Sequence, residues 1–193
     1  MPCAAATERI GLILAGGRNS AAEWNWRAGV SLLDQAGRIL NRAGLQRVII
    51  SGAANRSDSL DDLQPDQGPL GGIASVLRSF PELSRQTLVV LPTDMPAINP
   101  RALTRLAEIA EFHGQGALFD LGPLPLALVI NSELVQAVDE TLQDTGSMEA
   151  LVARLGLPVL ASLPDDGLDN VGSVKEVEEV RQRLDAIRAE AAS

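Results

Sequence analysis

Three short stretches of the chain carry residue types that could handle a phosphorylated ligand. Asp94 follows the apolar run Leu88-Val89-Val90-Leu91 and sits in the turn from Pro92 to Pro96. A carboxylate held at the end of such a strand suits Mg²⁺, which takes one or two carboxylates and fills its shell with phosphates and water. Leu14-Ala15-Gly16-Gly17 ends a second apolar run, and glycines there let backbone N–H groups approach phosphate oxygens without Cβ obstruction. Gly68 to Gly72 forms a third, glycine-rich opening to a helix. Singly these signs are weak, since a Gly-Gly pair often only turns the chain and an isolated Asp often caps a turn. They gain force if the fold brings them together.

The elements that would do so alternate along the chain. Arg9 to Gly16, Arg47 to Gly52 and Gln86 to Pro92 read as buried strands, short and nearly continuously apolar. Val30 to Gly44 has helical spacing and closes at a glycine, and Gly68 to about Leu77 is a second helix. Asn99 caps a third helix with Pro100 in its first turn and Gly114 at its end. Gly116 to Ile130 reads as one or two strands around a Gly-Pro turn, and a helix capped by Ser132 follows. A helix from Ser147, a strand over Leu157 to Leu163 and an amphipathic C-terminal helix complete the pattern. This order predicts a three-layer α/β fold, Rossmann-like, with a mostly parallel sheet. One domain over 1–193 is expected, with 1–8 and 186–193 frayed. Ligands of such sheets bind outside the carboxyl ends of the strands, where the three stretches would meet.

Composition narrows the chemistry. Among 193 residues the net charge is −9, which argues against a duplex nucleic-acid partner and says little about a small phosphate ligand. With a single cysteine, Cys3, and a single histidine, His113, the chain can hold neither an internal disulfide nor a Cys- or His-pair zinc site. His113 reads as a helix-end residue. There is no run of about 18 apolar residues and no signal-peptide pattern, so a cytoplasmic protein without membrane partners is expected.

Leu12 to Gly17 ("LILAGG"), Asp62 to Ile73 ("DLQPDQGPLGGI"), Val89 to Leu106 ("VVLPTDMPAINPRALTRL") and Asp169 to Val177 ("DNVGSVKEV") resemble, in order, the landmarks of the molybdenum cofactor guanylyltransferases. These are nucleotidyltransferases of the glycosyltransferase-A type fold. The resemblance implies transfer of GMP from Mg-GTP to the phosphate of molybdopterin, with release of pyrophosphate. It implies that Leu14, Ala15, Gly16 and Gly17 hold the triphosphate, that Gly68, Pro69 and Leu70 lie near the nucleotide, that Asp94 and Asp62 hold the metal, and that Asn170 contacts the acceptor. A homodimer or a molybdoenzyme-maturation partner is also in keeping with it.

The chain departs from the family pattern after the glycines. Ala21, Ala22 and Glu23 stand where Arg-Met-Gly is expected, and Trp26 stands where a Lys is expected. Those cations clamp the triphosphate, and losing such a clamp can cost on the order of 10³ in rate. Arg18 and Arg27 are the replacements within reach along the chain, Arg27 being the candidate catalytic cation. The C-terminal landmark has Gly172 and Val174 where Asn and Pro are expected. Two readings stay open: an enzyme with an altered phosphate loop, or a catalytically inactive relative that binds nucleotide, pterin or a partner. Trp24 and Trp26 either stack on a base or a pterin, form an interface patch, or plug an unused pocket. Glu176, Glu178 and Glu179 read as a solvated helix face, and Asp165 and Asp166 as turn residues.

Overall fold

The computed structural model describes residues 8–16, 21–45, 47–53, 56–61, 63 and 67–191. Gly17, Arg18 and Asp62 fall outside them.

Strand β1 (Arg9–Leu14) is the centre of the sheet. Its burial on both faces explains the unbroken apolar run, and it pairs in parallel with β4 (Arg47–Ser51) on one side and β6 (Thr87–Pro92) on the other. The full order is β5-β4-β1-β6-β8-β7-β9, with β5 (Ser59–Leu60), β7 (Gly116–Phe119), β8 (Leu126–Val129) and β9 (Val159–Leu160). Only β8 runs against its two neighbours, because it is the return arm of the hairpin that the Gly-Pro turn makes with β7. The mostly parallel sheet read from the sequence is therefore present. The strand expected over Leu157 to Leu163 shrinks to β9, a two-residue edge pairing with β7.

Side chains alternate across the sheet and feed two cores. Ile10, Leu12, Leu88 and Val90 pack with α2 (Gly68–Ser79), α4 (Ser132–Asp144) and α5 (Met148–Leu155). Ile13, Val89 and Leu91 pack with α1 (Leu32–Arg42) and α3 (Pro100–His113). These are the three layers. Helix α3 keeps its expected ends, with Asn99 Oδ1 accepting from Arg101 N–H and Gly114 in the left-handed conformation.

Two helix starts differ from expectation. Helix α1 does not begin at Val30. Ser31 and Asp34 form a reciprocal capping box there, and Val30–Ser31 is instead a strand, β3, paired antiparallel with β2 (Asn25–Arg27) through a turn at Gly29, whose φ is 70°. Helix α4 is capped by Asn131, not Ser132, since the extended backbone at Asn131 lets its side chain accept from Leu134 N–H at 2.8 Å.

The C-terminal helix α6 (Val174–Ala191) stays helical through much of the segment expected to fray. It is held by the β2–β3 ribbon. Trp26, 4 % exposed, forms a third apolar cluster with Val30, Leu32, Val171, Val177 and Val180. Arg181 donates to the Trp26 carbonyl at 3.3 Å, and Arg27 pairs with Asp185. The apolar contact outweighs the ion pair, both of whose members are largely exposed to water. Trp26→Ala is expected to lower the unfolding free energy by about 3–5 kcal/mol in chemical denaturation. Arg27→Ala should cost less than about 1 kcal/mol.

Candidate functional site

The carboxyl ends of β1 and β6 open into a cleft of about 860 Å³, well within the range of small-molecule sites. Its first wall comes from the loop after β1. Ala15 N–H donates to Ser51 carbonyl at 2.9 Å, extending the β1–β4 pairing by one residue, and Gly16 then enters the cleft lining. Gly52 backs this loop so closely that a Cβ there would lie 2.6 Å from Gly16 Cα, and its φ of 81° also requires glycine. Pro69, at the start of α2, completes that wall.

Asp94 lies beyond, in the turn after β6. Thr93 N–H donates to Leu14 carbonyl at 3.4 Å and ties this turn to β1. Val171 N–H donates to the Asp94 carbonyl at 2.8 Å and brings Asn170 and Gly172 to the same cleft. The segment before Asn170 is fixed by Asp166, which accepts from Arg105 and from Leu163 N–H, each at 2.7 Å. Gly172 N–H donates to Glu176 at 2.7 Å, and this bond holds the Glu176 carboxyl below its ordinary pKa. Glu176 thus ties Gly172 to the start of α6, while its side chain stays exposed as the solvated-face reading has it. The β7–β8 turn, Leu121 to Leu124, forms the far wall.

Asp94 Oδ1 is buried and makes no hydrogen bond. Burial raises its pKa, and a hydrogen bond with its own backbone offsets part of that rise. An orphaned carboxylate oxygen lining a cleft fits a divalent cation. No group of three His, Cys, Asp or Glu side chains is assembled among the described residues. Most of the coordination shell would then come from ligand phosphates and water, as is usual for Mg²⁺.

Of the residues read from the sequence, the fold gathers Leu14, Gly16, Pro69, Asp94 and Asn170 in the cleft lining. Ala15 and Leu70 turn into the core, so any part they play passes through the backbone. Gly68 starts α2 just beside the cleft, in an adjoining hollow that shares Pro69 and Leu124 with it. Gly17, Arg18 and Asp62 lie outside the described residues. Arg27 is not brought to the cleft but to α6, and among the described residues the lining contains no Arg, Lys or His. Arg56 is bound at 2.8 Å by Asp58 and lies 3.6 Å from Asp34, with Glu23 also acting on its charge. Trp26 is the plug under α6, whereas Trp24 lines the cleft.

Thr93 and Met95 line the cleft with the turn expected to reach it, and Gly172 with the Asn170 landmark, whereas Leu121 to Leu124 were not anticipated. One signal was available for Leu121 to Leu124. If β7 runs parallel to β6, its hairpin turn must fall at the same carboxyl edge.

The model of the MobA-like NTP transferase domain matches residues 11–159. The chain belongs to this family. It is also 34% identical to the molybdenum cofactor guanylyltransferase of Xanthomonas euvesicatoria pv. vesicatoria (strain 85-10) over 148 residues, 74% of this chain and 76% of that protein. Among solved structures, a 4-diphosphocytidyl-2C-methyl-D-erythritol synthase superposes with a TM-score of 0.69 at 14% identity, covering 94% of this chain and 100% of the other. A nucleotidyl transferase from Methanothermobacter thermautotroptrophicus gives 0.65 at 16% identity, covering 93% and 98%. These two likenesses establish the nucleotidyltransferase fold. The family match includes Leu14, Pro69 and Asp94 but ends before Asn170 and α6.

The raised pKa of Asp94 has a stability consequence with a definite sign. Below the ordinary Asp value of 3.8 the carboxyl is protonated in folded and unfolded chains alike and its burial costs no charge. As pH climbs through the folded value, the buried charge destabilises the fold. Asp94→Asn should therefore raise Tm at pH 7, and the advantage should shrink as the pH is lowered toward 4. Thermal denaturation of both proteins across that range checks it.

Proposed function

We propose that this protein transfers GMP from GTP to the phosphate of molybdopterin and releases pyrophosphate. The orphaned Asp94 carboxylate carries the reading, because it shares one cleft with the Gly16 backbone and with Asn170. The family and its guanylyltransferase relative supply the substrate class.

In this scheme an oxygen of the acceptor phosphate attacks the α-phosphorus of GTP in line, forming one P–O bond as the bond to the pyrophosphate oxygen breaks. Mg²⁺, when bound, offsets the charge that develops on the phosphate oxygens. Asp94 orients that ion, with Asp62 as a second carboxylate. With Leu14 and Ala15 held in the sheet, the backbone at Gly16 and Gly17 is what the loop offers the triphosphate, and Pro69 bounds the nucleotide end. Asn170 offers its amide to the acceptor. Because Arg27 is engaged by Asp185 and the described lining lacks a cation, Arg18 is the side chain left to neutralise the leaving pyrophosphate. We assign the activity to the cytoplasm. No helix among the described residues is long and apolar enough to cross a membrane.

The same lack of cations in the described lining favours a second reading, a relative that binds nucleotide or pterin without transfer. Pyrophosphate release from Mg-GTP and molybdopterin separates them. The wild type should turn over well above Asp94→Ala, and equal background rates in both would leave only the binding role.

A further inference from the structure

The segment that replaces the cationic loop carries two indoles, and the fold uses them differently. Both join the apolar cluster beneath α6, Trp26 inside it and Trp24 packed against it and only partly buried. Trp24 is fixed at its backbone. Its N–H donates to Ala21 carbonyl at 2.9 Å, and its carbonyl accepts from Leu32 N–H at 2.8 Å. It lines the main cleft, where it is the only aromatic ring among the described residues. A large apolar ring left partly open to a ligand-sized cavity offers a preformed stacking surface.

Its position selects the ligand. The sheet order sets Gly16 after β1, Asp94 after β6 and Leu121 to Leu124 between β7 and β8 along one edge. The cluster supporting Trp24 includes Val171, whose neighbours Asn170 and Gly172 line the cleft and whose N–H reaches the Asp94 carbonyl. Through that cluster Trp24 is tied to the Asn170–Gly172 part of the lining. The ring offers a triphosphate no charge to pair with. It fits a flat, uncharged heterocycle.

We infer that Trp24 is the platform on which the pterin ring of the acceptor stacks. The identity of that ring rests on the guanylyl-transfer reading, while the stacking surface does not.

Calorimetric titration of 6-hydroxymethylpterin tests this, with GMP and Mg²⁺ as the probe for the base. Trp24→Ala should weaken pterin binding roughly tenfold or more, the effect of removing one stacked ring. GMP affinity should be unchanged, and Trp24→Phe should restore most of the pterin affinity. Equal pterin affinity in wild type and Trp24→Ala overturns the inference, as does a wild type that binds no pterin. Loss of GMP affinity with pterin affinity kept also overturns it, by assigning the ring to the base. A wild type that releases no pyrophosphate but loses pterin affinity in Trp24→Ala supports the stacking site and removes guanylyl transfer.

Discussion

The parallel pairing of β1 with β4 and β6 is the constraint on which the cleft depends. It aligns three strand ends at one edge, so the loop at Gly16, the close support at Gly52 and the turn at Asp94 arrive together. The bond from Thr93 N–H to Leu14 carbonyl is a continuation of that pairing into the site. Without the pairing, the glycines and the aspartate would be unrelated features of separate loops.

Electrostatics then shape what the cleft accepts. A buried carboxylate without a hydrogen-bond partner at Oδ1 is costly to keep charged, and a cation in the cleft relieves that cost. Two arginines of the described residues that could have reached the cleft are engaged elsewhere: Arg27 faces Asp185, and Arg56 lies between Asp58 and Asp34. The described walls therefore offer an unescorted polyanion little to pair with.

Much of the architecture was legible because it rests on local patterns. Continuous apolar runs announced β1, β4 and β6, and Asn99, Pro100 and Gly114 announced both ends of α3. What the sequence hid was decided at a distance. The β2–β3 ribbon consists of five residues whose pairing depends on Gly29 and on α6 packing against Trp26, more than a hundred residues downstream. The same contact drew Arg27 out of the cleft, which sequence proximity to the lysine slot could not reveal. Asp94 and Asn170 were legible because each stood in an ordered motif. Leu121 to Leu124 was read as a turn, and its place in the cleft wall followed only from the direction of β7.

Trp26 also links the order of synthesis to the assembly of the cleft. Its indole is covered by Val171, Val177 and Val180, which are synthesised well after the central strands. Domains form vectorially as they are made, and apolar surface that waits for a late partner is exposed to wrong ones. The central strands can pair early, but the Asn170–Gly172 wall closes only once α6 is made. An unfinished chain would hold the glycine loop and the Asp94 turn while lacking the wall beyond them.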